Sequence, residues 1–403
     1  MKKKDFDIVI VGAGPSGIFC AIFASERGLR VALIDRNSKI GGKIPITGNC
    51  RCNLTNQFIS SENYTGENPM FVKNVLARYS SEDLIDFFRN LNMAIVSEGD
   101  RFYPMTKKSE TVVEVLDRRV RTKNITILTD TNVMKCEKIL NEFHIHSTTG
   151  DISSNSLAIC SGGKSYSKLF KSGGGYSIAK SFSHTVTKLY PGLTSLDTDS
   201  EDMIKLSGVS LEAEVSLFCG EEKVFQRKGS LLFTHRGFSG PVAMDASNRI
   251  SKCNGLPVNL SICFLSGKLK NFESFMNHIN GYRTKLLKNS ISGILPASLT
   301  EAAMQNIRVR DDIKVNEARR DTLMKLHKVL TNFNIRVKKN GDFDEAQVTV
   351  GGVRTSEIDP KRMESKLVKN LFFAGEILDI AGDCGGYNLQ FAFSTGKIAG
   401  MNA

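Results

Sequence analysis

The 403-residue sequence has no apolar run near 18 residues, which excludes a helix that spans a membrane. Its first residues, Met1-Lys2-Lys3-Lys4, are basic but lack the apolar stretch of a signal peptide. The expectation is a cytoplasmic protein with no membrane partner. The nine cysteines form no C-x-x-C pair and have no zinc-type spacing with histidine, so no metal site is expected. Cys50-Arg51-Cys52 is too short for an unstrained bridge. Cys20, Cys160, Cys219 and Cys263 sit in apolar surroundings and read as small core residues. Acidic charge is in deficit: 42 Asp and Glu face 54 Lys and Arg, a net charge of +12. The basic residues are spread along the chain, with one local excess around 314–336. A solvated basic surface and a pocket for an anionic cofactor account for this better than a nucleic-acid partner does. The length predicts two or three domains.

What is present is organised around residues 7–56. Asp7-Ile8-Val9-Ile10-Val11 is mostly apolar and β-branched, as in a parallel strand covered on both faces. Gly12, Gly14 and Gly17 follow with G-x-G-x-x-G spacing and enclose Pro15 and Ser16. The first glycine allows a tight turn, the second a close approach to a pyrophosphate, and the third close packing of helix on strand. The N–H groups at the start of the next helix would face the phosphates. A second strand, Arg30-Val31-Ala32-Leu33-Ile34, delivers Asp35 where its carboxylate can accept hydrogen bonds from both ribose hydroxyls. Arg36 follows it.

Further along, helices are predicted over 71–79, 80–91 and 106–121, with a short strand at 94–96 and a turn at 99–104. Residues 124–128 predict the third parallel strand, and 139–152 a small β-meander. Ser156-Leu157-Ala158-Ile159-Cys160-Ser161-Gly162-Gly163 is a further strand with a glycine turn. Gly173-Gly174-Gly175 is not a second nucleotide motif, because no third glycine and no acid-tipped strand follow. From Pro191 the pattern changes to period-two stretches at 211–218, 223–225 and 229–233, as in antiparallel sheet of a small barrel. Residues 269–330 are helical in pattern. The last sixty residues return to a strand, Leu371-Phe372-Phe373-Ala374, a glycine-rich loop and a closing helix over 389–399. The fold class is therefore α/β: a discontinuous Rossmann-like dinucleotide domain with an inserted barrel-like β domain and a helical subdomain. The boundaries are 1–190 and 346–403 for the first, 191–266 for the β insert, 267–330 for the helices and 331–345 for a return strand. A ligand pocket between the domains is the expected site for a small-molecule substrate. The pattern carries no signal for an oligomeric state.

Gly41-Gly42-Lys43, soon after the acid, resembles the glycine pair of FAD enzymes with two dinucleotide sites. Residues 46–56 resemble the signature of the BaiN-like flavoproteins, also called the aminoacetone oxidase family. The C-terminal Gly351-Gly352-Val353, Ala374-Gly375-Glu376-Ile377-Leu378-Asp379 and Cys384-Gly385-Gly386-Tyr387-Asn388-Leu389-Gln390 match that family nearly in register. Asp35 stands where the family usually has Glu, and Asn49-Cys50 where it usually has glycine. The resemblance implies FAD held by Gly42, Lys43, Thr47, Gly48, Arg51, Cys52 and Asn53. It further implies contacts from Val133 at the adenine, from Ser161, Gly162 and Gly163 by backbone, and from Gly375-Glu376 at the ribityl chain. Gly386, Tyr387, Asn388, Leu389 and Gln390 would open the last helix at the flavin ring. His235, in a Thr-His-Arg-Gly loop the family shares, is a candidate base, and Tyr387 a candidate substrate contact. The implied activities are oxidation of small amino-ketones by oxygen, or reduction of enone-type lipids. No dedicated NAD(P) domain is visible, which favours an oxidase, or a reductase that binds NAD(P)H transiently. An RNA-associated flavoprotein is a rival from another class, supported by the net charge.

Overall fold

A computed structural model describes residues 5–68, 70–170, 173–200 and 206–403. The basic residues 1–4 lie outside the described residues. The chain divides into two units, 1–192 with 343–403, and 193–342.

The first unit is built on a parallel sheet. Strand β1 (Phe6–Val11) runs into helix α1 (Pro15–Glu26) and returns as β2 (Val31–Ile34). Helix α2 (Ser109–Arg121) precedes β3 (Ile125–Leu128). Strands β4 (Val133–Ile139), β5 (Glu142–Ser147) and β6 (Gly150–Ile159) are the predicted meander, and β6 continues into the sheet. The order is β3-β2-β1-β6, and the late strand Leu371–Phe373 pairs with β6 in parallel. One edge of β6 is shared. Its first half, Gly150–Ser154, pairs with β5, and its second half, Leu157–Ile159, takes the late strand. That sharing closes the sheet with residues over 200 positions away. Ile8, Val9, Ile10, Leu157, Ile159 and Phe373 are wholly buried, as expected of strands covered on both faces. The closing helix, Tyr387–Asn402, lies against α1, and glycines set the approach. A Cβ at Gly396 would meet Ser16 O at 2.2 Å, and one at Gly400 would meet Cys20 O at 2.4 Å.

Three elements differ from expectation. Gly99-Asp100 is a turn, but Arg101–Pro104 is a strand paired with Ile95–Glu98. Helix α2 starts at Ser109, where the Ser109 Oγ donates to Pro45 O at 2.7 Å. The closing helix starts two residues early, at Tyr387, because Gly386 adopts φ +93° and turns the chain into it.

A buried triplet ties the end of this unit together. His184 Nδ1 meets Glu357 Oε2 at 2.9 Å, and its Nε2 meets Ser365 Oγ at 2.8 Å. Ser365 Oγ already accepts from the Leu367 and Val368 amides, so its hydroxyl donates to Nε2. The imidazole is thus neutral, with its proton on Nδ1 towards Glu357. Burial pulls the His184 pKa below the ordinary histidine value, although Glu357 opposes this. The unfolded chain therefore takes up a proton on acidification that the native chain refuses. Stability from this group is complete above the ordinary pKa and declines as pH falls below it. Between about pH 7.5 and about pH 5.5 the Tm of His184→Gln should fall less than that of wild type. Parallel Tm curves for the two would contradict this.

The second unit is a curled seven-stranded antiparallel sheet with helices. Its strands are β7 (Leu196–Asp197), β8 (Ser210–Cys219), β9 (Glu222–Thr234), β10 (Gly237–Ser239), β11 (Val258–Cys263), β12 (Phe333–Arg336) and β13 (Lys339–Asn340). They are ordered β12-β11-β8-β9-β10-β7-β13. Ala213, Val215, Leu217 and Cys219 alternate inward along β8. The stretches at 223–225 and 229–233 are one strand, β9. Gly229 falls within it because its Cβ would stand 3.2 Å from Val242 Cβ of the overlying helix Pro241–Ser247. Cys219, expected as a free core residue, is instead bonded to Cys253. Helix α3 (Arg320–Thr331) buries Leu323, Leu326, His327 and Leu330. No helix among the described residues is long and apolar enough to cross a membrane.

Candidate dinucleotide site

The turn after β1 is fixed by steric exclusion. Gly12 has φ +104°, and its Cβ would lie 2.4 Å from Cys160 O. A Cβ on Gly17 would lie 1.8 Å from Gly12 O. Gly14 differs, for nothing stands within 4 Å of its Cβ position. Helix and strand close on either side of it and leave that face open. Pro15 occupies the first turn of α1, where its missing N–H costs nothing. Ser16 is buried below Gly375, whose Cβ would stand 2.5 Å from Ser16 Oγ.

Asp35 ends β2. One carboxylate oxygen accepts from Ala13 N at 2.7 Å and the other from Asn37 N and Nδ2, both at 2.8 Å. The carboxylate is thereby held beside the glycine turn, with lone pairs left for hydroxyl donors. Arg36 is partly buried, which pulls its pKa down. Thr131 N donates to Asp35 O at 3.0 Å, which brings the start of β4, Val133, to the same end of the sheet.

The second centre is Glu376. Its Oε1 accepts from Ser165 Oγ at 2.9 Å and from Thr349 N at 2.9 Å. Lys43 Nζ donates to Ser165 Oγ at 2.8 Å and stands 3.4 Å from Glu376 Oε2. Thr349 Oγ1 accepts from Lys164 N at 2.7 Å. Burial works to raise the Glu376 carboxyl, but Lys43, Ser165 and Thr349 together hold it below the ordinary carboxylate range. Four separate stretches therefore meet at one carboxylate. Gly163 has no room for a side chain there, since its Cβ would meet Thr349 Oγ1 at 2.3 Å and Glu376 Oε1 at 2.5 Å. Gly162 is looser, with Glu376 Oε2 3.9 Å away. Ser165 and Thr349 were not legible as site residues. The only signal was their place next to the glycine turns at 162–163 and 351–352.

The third centre is the start of the closing helix. A Cβ on Gly386 would stand 2.7 Å from Thr55 O and 2.9 Å from Asn53 Oδ1. The loop before it turns tightly: Gly48, Asn49, Cys50 and Cys52 all have φ between +54° and +63°. Asn49 and Cys50 thus hold a left-handed conformation that glycine adopts without strain. Thr47 Oγ1 donates to Ile44 O at 2.7 Å. Cys52 is wholly buried, and burial pushes its thiol up to about 12, so it is no thiolate at neutral pH.

Several expected contacts have other partners. Arg51 pairs with Glu98 and lies over the Tyr103 ring at 4.3 Å. Gln390 is fully buried: it accepts from Thr55 Oγ1 at 2.6 Å and donates to Ser80 O and Ser394 Oγ, each at 3.0 Å. Asn388 holds Gly382 through two bonds of 2.8 Å. These three side chains brace the site. Tyr387 is nearly buried, and its carbonyl accepts from Tyr64 OH at 3.0 Å. Leu389 is half-buried in the first turn of the helix. Gly42 lies 3.5 Å from the Phe170 ring edge at its Cβ position. His235 is exposed in the turn between β9 and β10 of the second unit. Its neighbour Arg236 pairs with Asp197 at 2.8 Å. Among the described residues no group of His, Cys, Asp and Glu could hold a metal ion.

Among the described residues, the buried polar atoms of this unit without a partner include Asn53 Oδ1, Ser161 Oγ and Tyr176 OH. Unsatisfied buried atoms beside an open glycine turn, a carboxylate at the ribose position and a fixed second carboxylate fit a dinucleotide. The class defined is a dinucleotide-dependent oxidoreductase of the flavin type. The chain belongs to the HI0933-like protein Rossmann domain family, which it matches over residues 6–402. It is an FAD-dependent oxidoreductase. It is 30% identical over 404 residues to a 3-dehydro-bile acid Δ4,6-reductase of Clostridium scindens, covering 98% of each chain. It is 31% identical over 396 residues to a ribosomal RNA dihydrouridine synthase of Escherichia coli, covering 97% of this chain and 96% of that protein. The corresponding Haemophilus influenzae protein is 31% identical over 405 residues, covering 98% and 97%.

Proposed function

We propose that this protein is a reductase that saturates a carbon–carbon double bond conjugated to a carbonyl, with NAD(P)H as a transiently bound electron source. One observation carries the reading: two relatives aligned over nearly the whole chain have different substrates but one reaction type. Δ4,6 double bonds beside a 3-oxo group form a conjugated dienone, and the 5,6 double bond of uracil is conjugated to its 4-carbonyl. One relative is named a reductase and the other for a dihydro product, so the reductive direction is preferred to oxidation of amines or amino-ketones by oxygen.

FAD supplies hydride transfer at N5 when bound. The chain's own residues bind and aim it. The amides at the start of α1, beside the open face of Gly14, offer donors to a pyrophosphate. Asp35 accepts from ribose hydroxyls. Glu376, kept ionised and immobile by Lys43, Ser165 and Thr349, accepts from the polyol chain. The N-terminal N–H groups of the closing helix place a positive dipole end where negative charge gathers. Asn53 Oδ1, Ser161 Oγ and Tyr176 OH provide polar atoms for the remaining cofactor contacts. Tyr387 remains the proposed substrate contact of the first unit.

The net charge of +12 favours a second reading, in which the reduced bond belongs to a uracil base in RNA. Both readings are tested by product analysis. The FAD-loaded protein and NAD(P)H, without oxygen, should convert a cyclic enone or a uridine-containing RNA to the saturated product, one per nicotinamide oxidised. Neither substrate saturated, with small amines oxidised in air to give peroxide, would overturn the proposal.

A further inference from the structure

Residues 267–338 of the second unit hold fourteen Lys and Arg against six Asp and Glu, a net +8 of the chain's +12. Two segments there run side by side. Asn316 N donates to Arg283 O at 3.0 Å, Val315 N to Lys285 O at 3.0 Å, and Leu287 N to Ile313 O at 2.8 Å. Leu287 and Val315 point inward and are buried. Arg283, Lys285 and Lys314 are exposed. Among the described residues these three have no ion-pair partner. Glu317, three residues after Lys314, accepts from the Lys314 amide at 3.1 Å. Arg319, also exposed, continues the edge to the start of α3. Tyr282 opens the first segment and is 41% exposed, with Lys285 Nζ 5.8 Å from its ring centroid.

Close, unpaired cations beside an exposed aromatic ring suit a polyanion that also offers flat bases. An anionic lipid surface could also take both the charge and the ring; the uracil reading above favours RNA. We propose that segments 282–287 and 313–319 form a docking surface for structured RNA. Arg283, Lys285 and Lys314 contact its phosphates, and Tyr282 stacks on an unpaired base. The choice of RNA rests on the uracil reading above; the surface itself does not depend on the reductase chemistry.

The test uses the full FAD-loaded chain and a labelled RNA stem-loop with uridines in the loop, with binding followed by anisotropy across a salt series. Binding should weaken steeply with salt. Arg283→Glu, Lys285→Glu and Lys314→Glu together should weaken it about tenfold or more and flatten the salt slope by about one per lost contact. Tyr282→Ala should weaken stem-loop binding but leave a fully paired duplex unaffected. FAD content and reduction by NAD(P)H should be unchanged in all variants, which reports the fold. Wild-type affinity in the triple variant would overturn the proposal, as would equal loss for vesicles of anionic lipid that bind wild type as tightly as RNA does. If the variants lose RNA but wild type saturates no double bond, the docking surface stands and the reductase reading fails.

Discussion

Gly14→Ala is expected to fold as well as wild type and to bind FAD about tenfold to hundredfold more weakly, an overlap of about 1–3 kcal/mol. Its backbone is extended at φ −78°, ψ −172°, which alanine adopts freely, and its Cβ position is empty out to 4 Å. A methyl group there strains nothing in the protein. It intrudes only on the open face of the turn, where a pyrophosphate would lie. Gly17→Ala supplies the contrast. Its methyl would stand 1.8 Å from Gly12 O, which is backbone and has no room to yield. That variant should lose about 3 kcal/mol of stability or more, and FAD with it. Thermal unfolding with and without FAD separates the two. A Gly14→Ala protein whose FAD-dependent rise in Tm equals that of wild type would remove the pyrophosphate from this turn.

Glu376→Ala carries the second large effect. It strips Ser165 and the Thr349 amide of their acceptor and leaves the Lys43 ammonium without its counter-charge. Loss of one partner from such a partly buried set costs about 1 kcal/mol for each group left unpaired. Tm should fall, and FAD affinity should fall about tenfold or more. Glu376→Gln keeps an acceptor oxygen and should fall between. The pH sign is fixed by the lowered pKa. The group stays ionised through neutrality, its contribution is whole above the ordinary carboxylate pKa, and it is lost as acid titrates it through the lowered native value. FAD retention in wild type should thus be flat across neutral pH and fail only in acid. If Glu376→Ala retains FAD as wild type does, the carboxylate is structural only.

The parts that were legible are those where one short stretch carries its own reason. The apolar strand, the glycine spacing and Asp35 lie within thirty residues, and local sterics dictate each. The alternation along β8 was legible for the same reason. The parts missed were assembled from distant residues. Ser165 and Thr349 carry no motif, and they meet across 184 positions. His184, Glu357 and Ser365 come together across more than 170 positions. Cys219 and Cys253 lie 34 apart with no spacing signal. The stretches at 223–225 and 229–233 read as separate because Gln226-Arg227-Lys228 between them is polar throughout, yet one strand runs through all of them. Gln390 and Asn388 belong to the family signature, yet their side chains serve the protein's own bonds.

The most direct measurement is a single oxidative turnover. The protein is reduced without oxygen by NAD(P)H and then mixed, in separate runs, with a cyclic enone, a uridine-containing RNA and aerated buffer, while flavin absorbance is followed. The account predicts that one of the two conjugated acceptors restores the oxidised spectrum faster than air does, with one saturated bond formed per FAD. Rapid recovery in air with stoichiometric peroxide, and none with either acceptor, would contradict it.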